Sequence, residues 1–139
     1  MAIIIAGKRA PEFKQLAAAI HEGFENLELY LEEKHLDNFG FLLENIRLAQ
    51  AEAAKVINRK LNIVSIHTPH TGKVEYFNKT IELAKKLDAW VVFHSSKIKI
   101  LADVLDSGKV EKYEKLAIEN HTYFDLQDIV KNIIGRGYF

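Results

Sequence analysis

The sequence predicts an α/β protein built from about five parallel βα units. Short runs of consecutive apolar residues alternate along the chain with longer segments whose apolar residues recur every three to four positions. Continuous apolar runs are typical of strands buried on both faces, and the helical segments between them supply the right-handed crossovers that parallel strands need. The strand ends also repeat, since 27 residues separate His67 from His94 and 25 separate His94 from Glu119.

The composition fits a single globular domain over residues 1–139, with 48% hydrophobic and 27% charged residues. The chain has 19 lysine and arginine residues and 19 aspartate and glutamate residues, so its formal net charge is zero. No overall positive potential therefore attracts nucleic acid. The chain has no cysteine, which excludes disulfides and thiolate metal sites and is compatible with a reducing compartment. Its apolar N-terminal run is too short for a membrane span or a signal sequence. We therefore expect a cytoplasmic protein that does not bind membranes.

Five strands are predicted from the apolar runs. The first run is rich in isoleucine and ends at Gly7, which indicates a strand buried on both faces. The predicted strands cover residues 2–6, 27–31, 63–67, 90–94 and 116–119.

The predicted helices are identified by apolar stripes and by the residues at their ends. Pro11 suits a first helical turn, Gly23, Gly108 and Gly135 suit helix ends, and Asp125 suits an N-cap. The apolar stripes run over residues 13–20, 42–57, 77–87, 98–105 and 126–133. The second stripe lies inside one long helix predicted from residue 37 to residue 59.

Three predicted strands end on a residue that can bind a metal ion, namely His67, His94 and Glu119. Parallel α/β proteins place their chemistry at this end of their strands. Side chains alternate along a strand, so in neighbouring strands two imidazoles and a carboxylate would converge on one point. Such a set suits Zn²⁺, Mn²⁺ or Fe²⁺ better than Ca²⁺. The alternative is three unrelated polar residues that mark where strands stop.

Polar residues near these strand ends are candidates for substrate contacts or for supporting the metal ligands. Glu28 lies inside the second strand, where a buried carboxylate needs a partner, so it either supports the site or pairs with a lysine. His70, in the loop after the third strand, is either a substrate contact or outer ligand, or a solvent-facing loop residue. The candidates after the fourth and fifth strands are Ser95, Asn120 and His121.

Four segments stand in order along the chain: GFENLEL at 23–29, SIHTP at 65–69, VVFH at 91–94 and LAIEN at 116–120. Together they resemble successive strands of the xylose isomerase-like TIM-barrel superfamily, which includes sugar isomerases and epimerases and the endonuclease IV class of abasic-site nucleases. The resemblance implies that His67, His94 and Glu119 are metal ligands, as in the endonuclease IV class. It also implies that Glu119 takes part in proton transfer, as in the epimerases.

The function implied by this resemblance is that of a metal-dependent sugar isomerase or epimerase. Its cofactor would be a divalent metal (Zn, Mn or Mg), and its substrate a small sugar or sugar phosphate. One alternative is a non-catalytic or truncated barrel fragment, or an assembly subunit. Another is an endonuclease IV-like phosphodiesterase acting on DNA, against which the zero net charge argues.

The chain is shorter than the barrel it resembles. The family has eight strands and takes further ligands from strands six to eight, whereas about five units are predicted here. At about 26 residues a unit, eight units would need roughly 210 residues, in line with the usual size of the fold. We therefore expect a partial TIM barrel, incomplete as a single chain, with two open sheet edges. A second copy or a complementing half-barrel chain would complete it.

Overall fold

The computed structural model describes residues 3–94 and 98–119, together with residues 127, 130 and 131. In this part of the chain, strands and helices alternate. The strands are β1 (Gly7–Arg9), β2 (Asn26–Tyr30), β3 (Asn62–His67), β4 (Trp90–His94) and β5 (Leu116–Glu119). The helices are α1 (Phe13–His21), α2 (Glu33–Asp37), α3 (Phe39–Val56), α4 (Val74–Leu87) and α5 (Ile98–Asp106).

The five strands form one parallel sheet in the order β1-β2-β3-β4-β5. Each strand therefore pairs with the next strand along the chain, and each connection between them contains at least one helix, with α2 and α3 both lying between β2 and β3. This arrangement confirms the predicted α/β class with parallel βα units. None of the described helices is both long enough and apolar enough to cross a membrane.

The two faces of the sheet differ in burial. On one face, Leu27, Leu29, Ile66, Val91 and Phe93 are at most 2% exposed and belong to the core that the helices share. Right-handed crossovers that always advance in the same direction place all helices on one side of a sheet. The opposite side, here called the open face, carries Lys8, Glu28, Tyr30, Ser65, His67, Trp90, Val92, His94, Ala117 and Glu119.

The prediction for the first strand is wrong. Residues 3–6 are not part of the sheet, and Ile3, Ile4 and Ile5 are 85%, 64% and 73% exposed. The reason is the register between β1 and β2, which pairs Gly7 with Leu27. Since β2 begins at Asn26, the isoleucine run extends beyond the amino end of its neighbour and has no strand to pair with there.

The other elements lie near their predicted positions. β4 and β5 coincide with the predicted strands, and β2 and β3 each begin one residue earlier than predicted. The long helix predicted over residues 37–59 corresponds to α3, which is shorter at both ends. A further helix, α2, precedes it and was not predicted, and Asn38 separates the two with a non-helical backbone (φ −113°, ψ 52°). Gly108, with φ +68°, follows α5 as predicted. The helix predicted from Asp125 lies largely outside the described residues.

Candidate functional site

The structure places His67, His94 and Glu119 on the open face, at or near the carboxyl ends of their strands. His67 lies opposite Val92 in the pairing of β3 with β4, and His94 follows Val92 by two residues on the same face. His94 in turn lies opposite Glu119 of β5. The alternation of side chains along paired strands therefore places the three residues on the same face, at the carboxyl edge of the sheet.

His67 is the centre of this cluster and is 12% exposed. Its Nδ1 atom lies 3.5 Å from Oε2 of Glu119, and its Nε2 atom lies 3.9 Å from Oε2 of Glu28. The Nζ atom of Lys8 lies 3.4 Å from the same Nδ1 atom. The ring is thus surrounded by side chains from β1, β2 and β5, two carboxylates and one ammonium.

The surroundings of His67 favour its neutral form. Burial lowers the pKa of the imidazole, and the positive charge of Lys8 lowers it further, whereas the carboxylates of Glu28 and Glu119 oppose this shift. Within the described part of the chain, Nε2 of His67 is buried and has no hydrogen-bond partner. A neutral imidazole with an uncommitted nitrogen can bind a metal ion or accept a proton.

Glu28 is held in place by a neighbouring strand. Ser65 donates a hydrogen bond from Oγ to Oε1 of Glu28 over 2.8 Å, and the two residues lie opposite each other in the pairing of β2 with β3. The ion pairs between described residues include none from Glu28 to a lysine. The structure therefore places this carboxylate beside His67, with its other oxygen turned to the ring.

His94 and His70 contact each other. Their rings meet edge to face, with centroids 5.1 Å apart and planes inclined by 68°, and both line a small hollow between the β3–α4 loop and α5. His70 is exposed, and the charge of a protonated His94 also lowers the pKa of His67. Ser95, Asn120 and His121 lie outside the described residues.

The His67 cluster contains the residue types of a metal site, but its described side chains do not form a complete metal site. No three His, Asp or Glu side chains in the described ranges are grouped so that they could hold an ion together. What fits a metal is the donor set, an imidazole nitrogen that is buried without a partner beside two carboxylates.

Lys8 is the residue of this cluster that the sequence reasoning missed. The first strand was predicted over residues 2–6, which left Lys8 beyond its end, whereas β1 covers Gly7–Arg9 and pairs Lys8 with Glu28. The signal that identified His67 and His94 is a polar residue directly after an apolar run, and it does not apply to Lys8, because Gly7 lies between the run and Lys8.

We expect the stability of the metal-free protein to fall as the pH drops below about 6.5. The pKa of His67 is lower in the folded protein than its ordinary value of 6.5, so the unfolded chain takes up the proton first and acid favours unfolding. The stabilising contribution is complete above about pH 6.5 and is lost as the pH falls through the folded pKa. Urea titrations in EDTA at several pH values measure this slope.

The His67→Gln variant is expected to have a flatter pH profile over the same interval. His21→Gln is the matched control, because His21 is 59% exposed and contacts Glu52 on the outer helices. A wild-type slope that survives in His67→Gln would contradict the assignment of this titration to His67.

Comparison with known proteins finds no match to this chain among protein-family models, curated proteins or solved structures. The functional argument therefore depends on the geometry of the open face. That geometry joins a neutral imidazole, two partly exposed carboxylates and an ammonium at the carboxyl edge of a parallel sheet. A buried imidazole with a lowered pKa, as His67 has, is typical in this position of sites for acid–base chemistry.

Proposed function

We propose that this chain is a metal-dependent isomerase or epimerase of small sugars or sugar phosphates, built on the plan of the xylose isomerase-like barrel. One observation carries the proposal: Glu28 and Glu119, from β2 and β5, approach the two nitrogens of the buried His67 ring on the open face. The side chains of Glu28 and Glu119 are 36% and 38% exposed, so a substrate can reach both.

Two carboxylates that flank one position suit proton transfer between neighbouring carbons. In the proposed reaction, Glu119 removes the proton from the carbon beside the substrate carbonyl, the electron pair of that C–H bond forms a carbon–carbon double bond, and the carbonyl electrons move onto the oxygen. In an isomerase, the carbon proton is then returned to the former carbonyl carbon, while the proton of the neighbouring hydroxyl passes to the former carbonyl oxygen, so that a carbonyl forms at the neighbouring carbon. In an epimerase, the second carboxylate delivers a proton to the opposite face of the original carbon, and the carbonyl is restored. Glu28, oriented by its hydrogen bond from Ser65, is the candidate for the second carboxylate.

His67, His94 and Glu119 are proposed as metal ligands of the completed barrel, since the described side chains of this chain alone do not group three donors around one ion. The neutral state of His67 and its uncommitted Nε2 atom support this role, since a metal ligand must offer a lone pair. When bound, the divalent ion would polarise the carbonyl and hydroxyl of the substrate. Lys8 lies beside the same ring, where its charge would stabilise negative charge that develops on a substrate oxygen.

The arrangement of the sheet supports the proposed barrel architecture and the presence of a partner chain. Consecutive parallel strands with their helices on one side are the arrangement of a (β/α) barrel wall, whose inner face is the open face. In the described residues, β1 and β5 each pair with a single strand. Unpaired strand edges are usually covered in proteins, and we propose that a second copy or a complementing half-barrel chain covers them.

Deuterium exchange tests the proposed function. We expect the protein in D₂O, supplied with Zn²⁺, Mn²⁺ or Mg²⁺, to introduce deuterium at the carbon beside the carbonyl of at least one sugar. Mass spectrometry of tetroses to hexoses and their phosphates measures this incorporation. EDTA is expected to stop the exchange, and added metal to restore it, because the ion polarises the carbonyl.

The assay is best run over a range of protein concentrations, since activity per chain rises with concentration if a second copy completes the site. Absence of exchange with every sugar and metal at the highest concentration would refute the proposal. So would exchange that EDTA leaves unchanged.

A further inference from the structure

A cavity of about 390 Å³ lies at the amino edge of the sheet, at the starts of β3 and β4. Its walls come from the residues before β1, from α3 and the turn that follows it, and from the end of α4. Small-molecule sites usually occupy about 300–1,000 Å³, so a compact ligand fits here. Trp90 lines the cavity and precedes His94 by four residues, or about 13 Å along β4, so this cavity is separate from the His67 cluster.

Part of the wall is apolar and open to solvent. Trp90 is the only tryptophan of the chain, and it is 47% exposed. Ile4 lines the same cavity and is 64% exposed. The ring contacts between described residues include none to Trp90, neither from another aromatic ring nor from a cation. An exposed indole beside a cavity can therefore stack on a flat ring of a ligand.

Two lysines line the cavity without a carboxylate partner among the described residues. Lys60 precedes β3, Lys86 lies on the last turn of α4, and both are exposed. The ion pairs between described residues include neither of them. In the described part of the wall the carboxylate belongs to Asp88, and it is already paired with Lys115, which also donates to the backbone carbonyl of Asp88. The cavity thus has an excess of positive charge.

We propose that this cavity binds an aromatic phosphate ester, with its ring against Trp90 and Ile4 and its phosphate beside Lys60 and Lys86. A phosphate monoester carries close to two negative charges at neutral pH, so it matches two ammonium groups better than a carboxylate does. A neutral aromatic alcohol leaves both lysines without a partner, and an aromatic amine is repelled by them. An aliphatic phosphate, including a sugar phosphate, keeps the ionic contacts but cannot stack on the indole.

NMR titration of the ¹⁵N-labelled full chain tests this proposal, because the single tryptophan gives a single indole N–H signal. The probes are 2-naphthyl phosphate, 2-naphthol, 2-naphthylmethylamine and cyclohexyl phosphate, which vary the charge and the ring separately. We expect 2-naphthyl phosphate to shift the Trp90 signal saturably and to bind most tightly of the four. Its affinity is expected to fall as salt is added, since salt screens charges near the surface.

Substitutions separate the charges from the apolar wall. Lys60→Gln combined with Lys86→Gln is expected to weaken binding of 2-naphthyl phosphate about tenfold and to leave 2-naphthol nearly unchanged. Lys14→Gln combined with Lys99→Gln is the matched control, because these exposed lysines lie on α1 and α5, outside the cavity wall, and it is expected to bind like the wild type. Ile4→Ala, at an exposed position, is expected to weaken both 2-naphthyl phosphate and 2-naphthol without unfolding the chain.

Four results would each overturn the proposal. They are the absence of a saturable shift of the Trp90 signal with 2-naphthyl phosphate, equal or tighter binding of any other probe, unchanged affinity in the Lys60 and Lys86 double variant, and an equal loss in the control. Sugar exchange at the His67 cluster is measured separately, so failure of one proposal leaves the other standing.

Discussion

Replacing Glu119 with glutamine is expected to reduce deuterium exchange at the sugar carbon by a factor of about 100 to 10,000. A positioned general base contributes rate accelerations of this size, and an amide cannot take up the proton. Glutamine keeps the size and shape of the side chain, so the fold and the contact with His67 change little. The rate is measured by mass spectrometry under the conditions that give exchange with the wild-type chain.

The same carboxylate is proposed to bind the metal, so the two roles must be separated. Exchange is therefore measured at increasing metal concentration, together with the metal content of the protein. If Glu119 acts as the base, Glu119→Gln stays slow even when it is saturated with metal. Recovery of the wild-type rate at high metal concentration would show that Glu119 serves only as a ligand.

A matched glutamate gives the control for this experiment. Glu111 is exposed and forms an ion pair with Lys85 over 2.8 Å, away from the open face. Glu111→Gln is expected to exchange at the wild-type rate. If Glu119→Gln exchanges at a rate within about threefold of that control, Glu119 is not the base in the proposed proton transfer, since a general base normally accelerates a reaction far more.

Phe93→Ala is expected to lower the free energy of unfolding by about 3–5 kcal/mol, the usual cost of deleting a buried phenylalanine side chain. Phe93 is 2% exposed on the helix-covered face of β4, and its ring stacks on that of Phe77 at a centroid distance of 5.5 Å. The substitution removes these contacts and leaves a cavity that the helices cannot close completely. Urea unfolding followed by circular dichroism measures the loss.

Trp90 provides a contrast on the same strand. It is larger than Phe93, yet it lies on the open face and is 47% exposed. Trp90→Ala is therefore expected to cost only about 1 kcal/mol, because much of the ring already contacts water. A loss for Trp90→Ala equal to that for Phe93→Ala would mean that both faces of the sheet are covered, and the assignment of an open face would be wrong.

Patterns within single segments were enough to predict most of the strands. β3, β4 and β5 are short apolar runs bounded by polar residues. A short apolar run with polar residues at both ends indicates a strand. The isoleucine run before Gly7 satisfied the same criterion and failed, since pairing with β2 begins at Gly7. The break at Asn38 was also not predicted, because it lies before the apolar stripe, which begins at residue 42.

The candidate site was predicted in part for the same reasons. His67, His94 and Glu119 follow apolar runs directly, so their places at strand ends could be predicted from the order of residues. Lys8 could not be found in this way, because its role depends on the register that sets it opposite Glu28.

The sequence by itself determined the α/β class, the number of strands among the described residues and the polar residues at the strand ends. These features follow from local periodicity, which depends only on neighbours along the chain. Tertiary structure alone decided the strand register, the face that the helices cover and the protonation of His67. Register sets which distant side chains meet, and burial among them lowers the pKa of the imidazole.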